Sequence, residues 1–132
     1  MKAEQVSIFV ENKPGRLAAV LQALEDRGTS IKGMSVGDAA QIGIVRLIVS
    51  DPRSALDELL KRGFTARADS VLTIEIKDVP GGLLHGVAEP IAKANVNLHY
   101  FYAYTDNTTG SVVAVIKVDD LDRAEEALRD LS

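Results

Sequence analysis

Two short phrases carry residue types suited to holding a small anion or zwitterion: ENKPGRL at positions 11–17 and KDVPGGL at positions 77–83. In each, proline fixes φ and glycine lets another group approach the backbone closely. The residues that follow have helical spacing. Backbone N–H groups of Gly15, Arg16 and Leu17, and of Gly81, Gly82 and Leu83, are then expected to point unpaired into the loop. A helix start of this kind binds carboxylate or phosphate through free donors and the helix dipole. Gly82, lacking a side chain, promises the most open approach. A lone Pro-Gly is an ordinary tight turn; two at matching places half a chain apart ask for a further reason.

The elements that must position these turns repeat with them. QVSIFVEN alternates apolar and polar residues before the first phrase, with Val6, Ile8 and Val10 on one face, and VLTIEIKD does so before the second. Leu17, Ala18, Val20, Leu21 and Leu24 form the stripe of an amphipathic helix, which Gly28 stops. TSIKGMSV and IGIVRLIVSD read as strands. Asp51-Pro52 opens a helix that buries Leu56, Leu59 and Leu60 and ends at Gly63, and FTARADSV follows as a fourth strand. The cycle restarts with VLTIEI, a helix over about Gly82 to Ala94, the strand NLHYFYAY, the turn-rich TDNTTGS, the strand SVVAVIKV and the helix LDRAEEALRDL behind Asp119 and Asp120. It then lacks one strand. The expected architecture is α+β, with repeats over 1–69 and 70–132, each an antiparallel sheet with its helices on one face. The missing last strand is expected to leave an edge open at Val71–Lys77, to be paired by the bridging FTARADSVLTIEI segment, a dimer mate or another partner.

The two cycles also differ. Gly15 to Gly28 is 13 steps and Gly81 to Asn95 is 14, and the second helix contains Gly86 and Pro90. An interior proline removes a hydrogen bond, so a kink or one-residue bulge is expected near Glu89-Pro90. If Val45, Leu47 and Val49 face the helices, then Ile44, Arg46 and Ile48, with Phe9, Val113 and Val115, face away. An apolar sheet face free of helices usually has a partner over it, and a homodimer is expected to cover it.

Composition narrows the function classes. The chain of 132 residues is 46% hydrophobic with a net charge of −4, its charges interspersed. No basic face for nucleic acid and no polybasic segment for anionic lipid is present. No apolar run approaches the roughly 18 residues of a membrane span. The first residues lack a signal-peptide pattern, so the Asn107-Thr108-Thr109 sequon is idle and a cytoplasmic location is expected. Without cysteine there is no disulfide or thiolate nucleophile, and neither HExxH nor paired histidines mark a metal site. No cofactor or metal is expected.

The pattern N-x-P-G-x-L at Asn12–Leu17 followed by G-x-x-I at Gly28–Ile31, and D-x-P-G-x-L at Asp78–Leu83 followed by N-V-N-L at Asn95–Leu98, resembles the start of an ACT domain, twice. The likeness covers nearly the whole chain as a tandem pair, and βαββαβ, a ferredoxin-like repeat, is the family's order. The resemblance implies a freestanding regulatory protein that binds a small ligand, usually an amino acid, at the interface between two units and acts on a metabolic enzyme. It places ligand contacts at Asn12, Pro14, Gly15, Arg16 and Leu17 with Ser30 and Ile31, and at Asp78, Pro80, Gly81, Gly82 and Leu83 with Asn97, Leu98, His99 and Tyr100. In such members an Asn two residues before the Pro and an Asn at the start of the second strand come from opposite units. Asn12 with Asn97 restores that amide pair; Asp78 with Ser30 departs from it. An ionised Asp only accepts hydrogen bonds, so it suits an ammonium and repels a carboxylate. The Asn12–Asn97 pocket is therefore the expected amino-acid site.

Tyr100, Tyr102 and Tyr104 share one strand face, with Phe101 and His99 on the other. They suit a ligand wall, a dimer contact or plain core. Two other functions compete with the regulatory one. A small enzyme on this sandwich would need a nucleophile, base and oxyanion donors that converge, and the scattered Ser, Thr and two His show no such arrangement. A single-strand nucleic-acid platform would use aromatics such as those of NLHYFYAY, but no basic segment accompanies them. The chain is thus read as non-catalytic.

Overall fold

The computed structural model describes residues 1–39 and 42–129, with the backbone only at positions 38 and 39. In chain order the elements are β1 (Lys2–Glu11), α1 (Arg16–Asp26), β2 (Ile31–Ala39), β3 (Ile42–Val49), α2 (Pro52–Lys61), β4 (Thr65–Ile76), a π-helical turn (Leu84–Ala88) running into α3 (Glu89–Lys93), β5 (Leu98–Thr105), β6 (Val112–Val118) and α4 (Leu121–Arg129). They form two compact units. The first is Glu4–Asp69; the second runs from Ser70 onward and includes Met1–Ala3.

In the first unit the strand order is β2-β3-β1-β4. Antiparallel register sets Val6 opposite Leu47 and Ile8 opposite Val45, so the alternating apolar residues of β1 and β3 share one face. Those residues pack with Val20, Ala23 and Leu24 of α1 and Ala55 and Leu59 of α2. Each Val, Ile or Leu side chain so removed from water contributes about 1.5–3 kcal/mol before conformational entropy is charged. The Asp51 side chain accepts from Ser54 N–H at 3.2 Å and Pro52 fills the first turn, which explains why α2 starts where it does. Gly63, at φ 85°, ends it, with Phe64 N–H returning to Leu59 O at 3.0 Å.

The second unit is ordered β4-β6-β5. Leu72, Ala114, Ile116 and Val118 of its sheet pack with Val87, Ile91, Val96, Ala124 and Leu128. Its long helix holds the extra residue anticipated near Glu89-Pro90, as a π turn: Glu89 N–H bonds Leu84 O, five residues back. In α geometry the Pro90 ring would strike the Gly86 carbonyl, which would also lack a donor. The wider turn accommodates both, and Asn95 at φ 56° stops the helix in the manner of Gly28 at φ 72°.

Two expectations are corrected. FTARADSV and VLTIEI are one continuous strand, β4, not two. The edge at Val71–Lys77 is met in part by the chain's own first residues, and not by any of the three expected partners: Thr73 N–H donates to Met1 O at 2.7 Å, and Lys2 pairs with Asp122. On the sheet faces turned from the helices, Gln5, Ser7, Ile48, Val71, Val113 and Val115 are at most 8% exposed, while Phe9, Ile44 and Arg46 are half-buried. The buried polar members are satisfied: Gln5 Nε2 donates to Ser7 Oγ at 3.0 Å, and Ser7 Oγ to Asp69 Oδ2 at 2.7 Å.

Candidate functional site

The two Pro-Gly turns are built from the same three backbone hydrogen bonds. Lys13 N–H donates to Glu11 O at 2.8 Å, Arg16 N–H to Lys13 O at 3.3 Å and Ala19 N–H to Gly15 O at 3.0 Å. In the second unit Val79 donates to Lys77 O at 2.9 Å, Gly82 to Val79 O at 3.0 Å and His85 to Gly81 O at 2.9 Å. Gly15 and Gly81 hold φ of 86° and 81°, a left-handed conformation in which an L side chain costs about 1–2 kcal/mol. The turns therefore close on themselves in part. The amides of Arg16 and Gly82 are spent inside the turn and are not the free donors expected of them.

Gly82 is corrected in a second respect. A Cβ there would lie 2.6 Å from Lys77 O and 3.1 Å from an Ile76 methyl carbon, so its missing side chain serves contact with its own strand, not an open approach. Gly15 is the open one, with nothing within 4 Å of its Cβ position. Gly81 has the His85 ring against it, at 3.2 Å from Cδ2. That ring is oriented by Glu89, whose Oε1 lies 2.9 Å from Nδ1.

The charge around the turns differs. Near the first, the Arg16 guanidinium lies over the Phe64 ring at 5.3 Å. Lys13 pairs with Glu11 at 2.8 Å, and the hydrogen bond from Lys13 holds the Glu11 carboxyl below its ordinary range. The second has Asp78 in place of Asn12, and Gly82 in place of Arg16.

The heads of β2 and β5 are a second matched pair of joints. Ser50 N–H donates to Ser30 O at 3.0 Å, and Asp119 N–H to Asn97 O at 3.2 Å. In return Ser30 N–H donates to Ser50 Oγ at 3.1 Å and Asn97 N–H to Asp119 Oδ1 at 3.2 Å. The Asn97 amide adds a bond, Nδ2 to Asp119 Oδ2 at 3.3 Å. A register irregularity follows at the same place in each repeat, between Ile31 and Gly33 and between Leu98 and Tyr100.

The first unit thus carries Asn12, Pro14, Gly15, Arg16 and Leu17 at the β1–α1 turn, and Ser30 and Ile31 at the head of β2. Leu17 lies against that unit's core. The second carries Asp78, Pro80, Gly81, Gly82 and Leu83 at the turn after β4, and Asn97, Leu98, His99 and Tyr100 at the head of β5. His99 is exposed, Phe101 packs on the helix side, and Tyr100 stacks with Tyr102 at 6.5 Å between centroids on the other. Hollows among the described residues of this unit include two. One of about 260 Å³ is apolar, between Val87 and Ile91 on the helix and Leu98 and Phe101 on β5. One of about 280 Å³ is bordered by His85, Glu89, Lys93 and Ala127.

Sequence reasoning missed Ser50 and Asp119. The signal was present, because Ser50-Asp51 and Asp119-Asp120 each precede the second helix of their repeat. Among the described residues no group of three or more His, Cys, Asp or Glu could hold a metal ion, and no helix is long and apolar enough to cross a membrane.

A family model described as the ACT domain pair matches residues 1–131. A protein of Bacteroides thetaiotaomicron of known structure is 32% identical, with a TM-score of 0.89, and the match covers 98% of this chain and 88% of that one. The ligand-free regulatory subunit of aspartate kinase from Thermus thermophilus is 20% identical with a TM-score of 0.68, over 99% of this chain and 95% of that one. The same subunit from Thermus flavus is 20% identical with a TM-score of 0.64, covering 98% and 92%. No curated protein matches the chain.

Proposed function

The chain belongs to the ACT domain pair family, and on that premise we propose that it is a non-catalytic regulatory module that binds a free amino acid between its two repeats. The observation that carries this reading is the bond-for-bond match of the two Pro-Gly turns and the two strand heads. At the places that the resemblance assigns to ligand contact the backbone is duplicated, while Asn12 and Asp78, Arg16 and Gly82, and Ser30 and Asn97 differ. Asn12 and Asn97 form the proposed principal pocket, with the backbone of Gly15 and Leu17 as donors. Asp78 and Ser30 form the weaker one. Two amides can accept from an ammonium and donate to a carboxylate, as a zwitterion requires.

The regulated partner in this reading is a metabolic enzyme in the cytoplasm. The likeness to aspartate kinase regulatory subunits supports that class. The same reading includes a homodimer, supported by Ile31, Met34 and Val36, exposed apolar residues on edge strand β2.

Thermal-shift screening against the twenty amino acids tests the central claim. A ligand at about 100 times its dissociation constant should stabilise the protein by about 2.7 kcal/mol. Calorimetry on the responding amino acid should then find that Asn97→Ala weakens binding more than Ser30→Ala. No response from any amino acid refutes the module; equal losses refute the asymmetry.

A further inference from the structure

Resting on that amino-acid-binding reading, we propose that Asp119 is a positioning residue that fixes which way round the Asn97 amide faces the ligand, making Asn97 a reader of the ligand's ammonium. Asp119 receives two donors from one residue, the Asn97 N–H at 3.2 Å on Oδ1 and the side-chain Nδ2 at 3.3 Å on Oδ2. Its own N–H returns to Asn97 O at 3.2 Å. An ionised carboxylate only accepts, so the NH₂ end of the amide has to face it. The flipped amide would set oxygen against oxygen. What exposed Asn97 then presents outward is Oδ1, an acceptor with two lone pairs, and at most one remaining N–H.

The negative charge of Asp119 acts in the same direction. It lies one hydrogen bond behind the contact atom, attracting an ammonium and repelling a carboxylate. Neighbouring Asp120 is committed elsewhere, capping α4 by accepting from Arg123 N–H at 3.1 Å. Among the described residues, the matching joint of the first repeat has no such device. Ser50 Oγ takes only the Ser30 backbone N–H, at 3.1 Å, and is uncharged. Reading of an ammonium by a fixed carbonyl is therefore specific to the second repeat.

The first repeat also supplies the control. Asp119→Ser copies Ser50 and keeps an acceptor for the Asn97 backbone N–H while releasing the side-chain amide and removing the charge. The full chain, wild type and Asp119→Ser, is titrated calorimetrically with each of the twenty L-amino acids, then with the N-acetyl derivative and the methyl ester of the tightest binder. Wild type should reject the N-acetyl derivative far more strongly than the ester. Asp119→Ser should bind the free amino acid about tenfold more weakly, as for loss of one charge-assisted hydrogen bond. Its preference for ester over N-acetyl derivative should narrow by a similar factor. In ¹⁵N spectra of ligand-free protein, the Asn97 side-chain NH₂ pair should shift while the melting temperature holds. A variant that fails to hold it is replaced by Asp119→Asn, which retains a partner for the amide but permits either orientation, and should show the same narrowing. Unchanged affinity and preference in a folded variant, or a wild type that tolerates acetylation better than esterification, overturns the proposal. A wild type that binds no amino acid overturns the function on which it rests.

Discussion

Substituting Gly82 by alanine should damage the second Pro-Gly turn, although the matching position of the first carries Arg16 without difficulty. The added methyl would lie 2.6 Å from Lys77 O and 3.1 Å from Ile76 Cγ2. The carbonyl is the decisive neighbour. It is backbone, and the Val79 amide at 2.9 Å already holds it within the turn, so it cannot swing away as a flexible side chain would. A carbon–oxygen contact is comfortable near 3.3 Å or beyond, so strand and helix start must part by more than half an ångström or the turn must open. Overpacking of this kind costs about 1–3 kcal/mol. Alanine's better backbone entropy offsets less than about 1 kcal/mol of that. For a chain of this size the net loss should lower the melting temperature by roughly 3–10 °C. Gly82→Arg, which copies the first repeat, should do at least as much harm. Calorimetric or circular-dichroism melts of wild type, Gly82→Ala and Arg16→Ala decide the matter, with Arg16→Ala expected to fall by less. A Gly82→Ala protein that melts with wild type would refute the claim that this glycine exists for close packing.

Asn95, the left-handed stop of the second long helix at φ 56°, should lose about 1 kcal/mol on replacement by alanine and nothing on replacement by glycine, read from urea midpoints. The α1–α2 surface of the first unit should make stability sensitive to acid. Arg62 donates to Asp26 at 2.8 Å and to Glu58 at 2.9 Å, and these bonds hold both carboxyls below their ordinary range; Asp57 is lowered by Lys61 and then Arg27. Carboxyls depressed in the folded state bind fewer protons there than when unfolded. Their stabilisation is therefore complete above the unfolded values near pH 4 and is lost as pH falls through the folded ones. Urea midpoints should hold from about pH 7 to 5 and drop below about 4, and Arg62→Gln should flatten that drop. Because the groups are exposed, 0.5 M salt should flatten it too; a drop that ignores both changes refutes the assignment.

What the sequence disclosed was local. Alternation in QVSIFVEN and IGIVRLIV sets Val6, Ile8, Val45 and Leu47 on one face whatever the rest of the chain does, and Gly28 and Gly63 stop helices through their own φ. The extra residue of the second helix was legible as a count between two stops. What it concealed was pairing at a distance. Lys2 and Ala3 carry no apolar alternation, and nothing near them says that Met1 O will meet Thr73 N–H, since backbone pairing leaves no mark on side-chain type. Gly82 invited the reading of an open approach because glycine permits either openness or closeness, and only Lys77 O decides between them. Asp119 escaped notice because its partner is 22 residues away, whereas Ser30 and Ser50 are 20 apart. The longer β5–β6 hairpin hides the equivalence until the strands are laid in register.

The matched joints bear on why the two repeats should differ in function. A backbone hydrogen bond such as Ser50 N–H to Ser30 O constrains geometry but not the side chains of its partners, so a duplicated chain keeps the frame while those side chains change. The changes fall on Asn12 and Asp78, Arg16 and Gly82, Ser30 and Asn97, Ser50 and Asp119. In the proposed pairing, the Asn12 turn with Arg16 nearby joins the strand head at which Asp119 backs Asn97. One contributor then brings a cation and the other an anion, the two charges a zwitterion needs. The other pairing joins acidic Asp78 to the uncharged Ser30–Ser50 joint and has Gly82 where the first turn has Arg16. Complementary charge placed in this way discriminates more than it tightens. Arg16→Gln should accordingly weaken the binding of an amino acid while leaving that of its methyl ester nearly unchanged, and equal loss for both in paired titrations would place the carboxylate elsewhere.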